Sequence, residues 1–285
     1  MRGKGTLLVV DLSNQVYKAT ASHQGLTSGT TFTGGLYGFL MAISSAVKET
    51  GADHILIGAD ARPYLRSKEY PQYKQLRKKD KSEQDELVLK AFQQSMGLVE
   101  KMLGILGIPV WRVPGFEYDD LVAHVVRKYR HRFELIVAHT NDSDIQQLLW
   151  TPGFTIFKGK KGGGIYRRKD FEVEWKGIDP RDLPKALALT GTHNDIEGVH
   201  GLGPVTAIKA LKDPAKMREI RSKHGHIMDR NLPLITLPHP SFPFDAVPPL
   251  PERKGLNHRH LYKFCATYDI EVTKFMTDAL DKVLT

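Results

Sequence analysis

Thr6-Leu7-Leu8-Val9-Val10-Asp11 is a short apolar run that stops at a carboxylate, and the pattern recurs three more times. His54-Ile55-Leu56-Ile57-Gly58-Ala59 ends at Asp60, and Ile108-Pro109-Val110-Trp111-Arg112-Val113 leads into Glu117, Asp119 and Asp120. Leu135-Ile136-Val137-Ala138 leads into Asp142 and Asp144. Apolar runs of this length, separated by helical-length segments, read as buried parallel strands of an α/β sheet. In such sheets the ligand site lies beyond the carboxyl ends of the strands. Adjacent strands would therefore bring seven carboxylates to one edge, where they repel one another unless cations sit between them. Oxygen donors of this kind suit Mg²⁺ or Mn²⁺. Capping explains any one of these acids, because Asp often precedes a helix. Four acidic strand ends together favour metal.

The chain has 285 residues, enough for one large domain or two ordinary ones. No segment approaches 18 consecutive apolar residues, and no signal peptide precedes the first strand, so the expectation is a soluble intracellular protein. Cys265 is the only cysteine, which excludes an internal disulfide and a cysteine-based zinc site. Lys and Arg outnumber Asp and Glu by 41 to 32. If metal neutralises the clustered acids, the remaining surface is strongly basic and points to a polyanion.

Helical spacing predicts helices over 34–49, 82–106 (Ser82 as N-cap), 119–129, from 145, from Asp179-Pro180, over 204–211, and one or two over 258–284. Phe154-Thr155-Ile156-Phe157 reads as a further strand. Seven of the 16 prolines fall between Pro233 and Pro251, which predicts an extended segment wrapping back over the first domain.

Two further stretches carry chemistry. The run from Arg66 to Lys81 is basic and holds Tyr70 and Tyr73; its cations suit phosphates and its rings suit unpaired bases. Such a run is by itself usually a solvated face, but this one follows directly from strand-end Asp60. Gly198-Val199-His200-Gly201-Leu202-Gly203-Pro204 opens a helix in the manner of a helix–hairpin–helix, which offers backbone N–H groups to a phosphate.

Together these motifs resemble the flap endonuclease family of structure-specific 5′ nucleases, in particular phage 5′–3′ exonucleases and the 5′-nuclease domain of bacterial DNA polymerase I. The likeness runs from Leu7 to about Leu237. Asp11, Asp60, Gly115-x-Glu117-x-Asp119-Asp120 and Asp142-x-Asp144-x-x-Gln147-Leu148 match its acidic motifs. Arg66 and Pro71-x-Tyr73-Lys74-x-x-Arg77 match its helical arch, and the run from Gly198 its helix–three-turn–helix. The resemblance implies a mostly parallel α/β sheet with flanking helices, a PIN-like nuclease core over 1–178 with an arch at about 64–106, and a DNA-binding helical region over 179–285. It implies two sites for Mg²⁺ or Mn²⁺ held by Asp11, Asp60, Glu117, Asp119, Asp120, Asp142, Asp144 and Asp195, and K⁺ at the glycine run. Lys74, Arg77 and Tyr73 would be catalytic, and Arg66, Lys78, Lys79, Gly198, Gly201 and Gly203 would bind DNA.

The implied partner is DNA with 5′ flaps, nicks, gaps or free 5′ ends. The implied protein is a monomer in the cytoplasm of a bacterial or phage-infected cell, without an attached polymerase module. One departure stands out. The family reads Gly-Asp-x-x-Asp-Asn-Ile before the glycine run, whereas this chain reads Thr190-Gly191-Thr192-His193-Asn194-Asp195-Ile196-Glu197. A gapless reading places Gly191 and Asn194 at the two acids; a one-residue shift places Thr192 and Asp195 there. One carboxylate is lost either way. Two rival functions therefore stay open: a DNA-junction binder that does not cut, and an RNA-cleaving enzyme on the same core.

Overall fold

In the computed structural model, residues 5–75, 82–159, 163–247, 249–252 and 254–285 are described. β1 (Thr6–Asp11) leads into α1 (Leu12–Ser22), a small hairpin of β2 (Thr27–Ser28) and β3 (Thr31–Phe32), then α2 (Gly34–Thr50) and β4 (His54–Gly58). α3 (Leu65–Glu69), α4 (Glu83–Ile105), β5 (Val110–Trp111), α5 (Tyr118–Tyr129) and β6 (Leu135–His139) follow. After a 3₁₀ turn at Asp144–Trp150 come β7 (Phe154–Phe157), β8 (Ile165–Tyr166) and α6 (Arg168–Glu174). The remainder is helical: α7 (Leu183–Thr190), α8 (Pro204–Leu211), α9 (Pro214–Ile235), α10 (His258–Ala266) and α11 (Lys274–Leu284).

The main sheet has the order β5-β4-β1-β6-β7-β8, parallel except where β8 joins β7. The four runs that end in acids are thus neighbours, with β1 between β4 and β6. Alternation along β1 sends Leu8 and Val10 into a core with α2, α4, α10 and α11, and Leu7 and Val9 into a second core with α5. Both faces are covered, which is why β1 reads as continuously apolar. β4 and β5 extend the sheet to one side of β1, and β6 returns on its other side. The resulting switch point between β1 and β6 is where a doubly wound sheet opens a crevice.

The helices follow local signals. At α4, Ser82 accepts from the Asp85 amide while Asp85 returns a bond to the Ser82 amide. At α1, Asp11 itself is the N-cap.

Residues after 178 divide between two places. α10 and α11 pack in the core with α2 and α4, whereas α7, α8 and α9 stack beside the 3₁₀ turn and the strand ends. The proline-rich stretch is partly helical, a departure from the extended form expected. Pro233 lies in the last turn of α9, where the helix is about to end and the absent N–H disrupts little. From Leu237 the chain does wrap back: Phe242 packs edge-on against Phe116, and the His239 amide donates to Asp120 at 2.7 Å. Among the described residues no helix is long and apolar enough to cross a membrane.

Candidate active site and metal centre

Beyond the C-terminal ends of β1, β4, β5 and β6 lies a cleft of about 630 Å³. Asp11, Asp60, Glu117, Asp119 and Asp142 line it together with Ser13, Asn14, Tyr17, Arg62, Tyr64 and Lys74. Each acid is held differently. Asp11 accepts from the Asn14 amide at 3.0 Å and from the Thr140 hydroxyl at 3.3 Å, so one contact crosses the switch point. Asp60 accepts from the Tyr64 hydroxyl (2.8 Å) and the Tyr118 amide (2.9 Å). Asp142 accepts from the Asp144 amide at 2.9 Å. The Asp119 carboxylate has no hydrogen-bond or ion-pair partner among the described residues.

Electrostatics agree with this crowding. Burial, reinforced by the charges of Asp60 and Asp142, pushes the Asp11 carboxyl up to about 7. Burial followed by Asp142 and Asp11 raises Asp119 well above the usual carboxylate range. Asp144 is likewise raised to about 7, by burial and then Asp142. Its Oδ2 accepts from the Asn194 side chain at 3.1 Å, while its buried Oδ1 has no partner. Among the described residues no three of these side chains close on a single point. A hard cation completed by water does not require such a cage. The unpaired Asp119, the orphaned Asp144 oxygen and the raised carboxyls make a donor set that fits divalent metal.

Other expected site residues are engaged within the fold. Asp120 is fully buried and faces away from the cleft: Arg66 grips it at 2.5 and 2.8 Å, and it also accepts from the Glu117 and His239 amides. Both of its oxygens are engaged by these partners. Arg66, only 3% exposed, also bonds Glu117 and the Leu234 carbonyl. Tyr73 is buried with Tyr64, Tyr70, Ile196 and Leu234, and its hydroxyl donates to Glu117 at 2.7 Å. Lys74 does reach the cleft, where it is ion-paired with Glu117 beside the rings of Tyr64 and Tyr73. Arg77, Lys78 and Lys79 lie outside the described residues.

The glycines of the 198–203 run differ among themselves. A side chain on Gly198 would strike the Gly191 amide and the Leu189 carbonyl within 2.5 Å, so this glycine serves the fold. Gly201 (φ +75°) and Gly203 face open space. Asp195 lines a neighbouring pocket of about 520 Å³ with Ser143, Asp144, Thr192 and His193.

The residues not anticipated are Tyr64, Thr140 and Tyr17. Thr140 follows β6 as Asp11 ends β1, so strand-end position was its available signal. Tyr17 is half exposed at the cleft rim, with Phe92 edge-on at 5.7 Å.

A mostly parallel sheet thus brings its strand ends to an acidic cleft, with the glycine run from Gly198 in the helical region beside it. Residues 6–176 match the 5′–3′ exonuclease N-terminal, resolvase-like domain, and the chain belongs to that family. Among curated proteins it is 29% identical over 245 residues to DNA polymerase I of Mycobacterium tuberculosis, covering 81% of this chain and 26% of that protein. It is 28% identical over 218 residues to a 5′–3′ exonuclease of Aquifex aeolicus, covering 75% and 72%. The chain thus spans about a quarter of the length of the polymerase relatives. In fold it matches the bacteriophage T5 flap endonuclease, solved in a pseudo-enzyme–product complex with DNA and metal ions. The TM-score is 0.69 at 19% identity, covering 82% of this chain and 89% of that one. Flap endonuclease-1 of Methanococcus jannaschii matches with a TM-score of 0.61 at 15% identity, covering 99% and 92%.

Proposed function

We propose that this chain is a divalent-metal-dependent 5′ nuclease that hydrolyses phosphodiesters of DNA carrying 5′ flaps, nicks, gaps or free 5′ ends. The observation that carries the reading is the acidic cleft at the β1/β6 switch point, with burial-raised carboxyls sharing its lining with two basic side chains, Lys74 and Arg62. Asp11, Asp60, Asp119, Asp142 and Glu117 would hold Mg²⁺ or Mn²⁺. When bound there, such ions supply charge neutralisation and Lewis acidity to in-line phosphodiester hydrolysis.

The chain's own groups do the rest. Lys74 lies against Glu117 at the cleft wall, where its ammonium can meet a scissile phosphate and offset charge that develops on it. Arg62, in the same lining, adds a second cation. Tyr17 offers an exposed face for a terminal base. Gly201 and Gly203, open at the start of α8, leave room for a duplex backbone, and the same turn would hold K⁺, which would supply positive charge for phosphate binding. Arg66, Asp120 and Tyr73 hold Glu117 in place.

The deciding measurement is cleavage of 5′-labelled flap DNA, and of the same flap in RNA, with Mg²⁺, Mn²⁺ or chelator. Metal-dependent release of a short 5′ DNA product is expected, and Asp119→Asn should lower turnover at least a hundredfold while DNA affinity stays within threefold. Tight DNA binding without product in either metal would favour the non-cutting junction binder, and preference for the RNA flap would favour the RNA-cleaving rival.

A further inference from the structure

The pocket beside the cleft is framed by a turn whose shape is tightly fixed. Gly191 and Glu197 form a bridge, the Thr192 amide donates to the Ile196 carbonyl at 2.9 Å, and Asp195 sits at φ +63°. The Asn194 amide donates to the Thr192 hydroxyl at 3.1 Å. This geometry turns the Asn194 side chain inward onto Asp144 and leaves His193 on the outer side. There its Nε2 stands 4.0 Å from Asp142 Oδ2, too far for a hydrogen bond. That separation is within what two donors on one divalent ion span, given metal–ligand distances of about 2.0–2.2 Å. Asp144 Oδ1, in a side chain nine-tenths buried, lines the same pocket and has no partner.

We propose that His193 supplies a nitrogen ligand to a second cation site, shared with Asp142, Asp144 and Asp195, that selects ions accepting imidazole over Mg²⁺. The proposal rests on the metal-dependent reading above and deepens it. Mg²⁺ demands oxygen donors and gives up water reluctantly, whereas imidazole suits the later first-row ions, and Mn²⁺ tolerates both donor types. The His193 side chain is about half exposed (49%), so it can reorient toward the orphaned Asp144 oxygen without disturbing a packed core.

The test uses Mn²⁺ as the probe. Electron spin-echo spectra of the Mn²⁺-loaded protein should show ¹⁴N modulation from a directly bound imidazole, and His193→Gln should abolish it. By calorimetry, the same variant should weaken one of two Mn²⁺ sites about tenfold and leave Mg²⁺ affinity within twofold. His193→Asp should instead raise Mg²⁺ affinity, a gain that loss of a structural role would not give. Mn²⁺ binding without ¹⁴N modulation, or modulation that survives His193→Gln, would overturn the histidine assignment and leave the nuclease reading standing. Failure of the wild-type protein to bind any divalent ion, with or without DNA, would overturn both.

Discussion

Arg66 and Lys74 both lie in the basic segment, yet the fold gives them opposite tasks. Arg66 is sealed in a pair with Asp120, and removing one partner of a buried pair leaves the other charged without compensation. Arg66→Ala is therefore expected to cost about 3–5 kcal/mol by urea denaturation, whereas a phosphate-binding role would lower DNA affinity and spare stability. Lys74→Ala should act on the chemistry, with single-turnover cleavage falling at least tenfold and DNA affinity changing less. Tyr17→Ala belongs with the substrate: fluorescence titration with a 5′ overhang should show several-fold weaker binding at unchanged melting temperature. Charge and aromatic content marked this segment as important. Which side chains turn inward was not legible, because Tyr70 and Tyr73 are buried by α7 and α9, far along the chain.

At the scale of elements, the four acid-ended strands were legible because burial on both faces of a parallel strand leaves a continuous apolar run. The long helix α4 was also legible from its period and capping box. α9 was not. Its sequence is broken by Gly225 and a non-helical His224, and Pro233 lies in its last turn, so no uninterrupted apolar face announces it. The capping box gives a stability prediction: Ser82→Ala should cost about 1 kcal/mol, measured by thermal melting. The glycine run gives a contrasting pair. Gly198→Ala must displace backbone at Gly191 and Leu189 and should lower the melting temperature markedly. Gly203→Ala, at φ −84° in open space, should leave the melt unchanged and weaken only duplex binding.

For the whole molecule the governing quantities are charge and its compensation. The folded Asp11 carboxyl is raised from 3.8 to about 7, so the fold holds that proton more tightly than the unfolded chain does. Its contribution to stability is therefore complete below about pH 4 and lost as pH rises through about 7. Melting of the chelated protein should fall more steeply between about pH 5 and 8 than melting of Asp11→Asn, and saturating Mn²⁺ should remove the difference. DNA affinity, carried by a chain of formal charge +9, should fall linearly in log–log salt plots, with a slope of about −0.9 for each phosphate neutralised. The acidic sheet edge was visible in the sequence as four separate endings. Which acids face the cleft required the long-range ties of Arg66 and His239.

Those ties bear on how the protein is made. Asp120 is fixed by partners 54 residues before it and 119 residues after it in the chain. A nascent chain still short of His239 on the ribosome lacks the amide that completes this anchor, although every cleft acid has already been translated. The anchor at Asp120 is thus completed late in synthesis, long after the residues it ties together have been made.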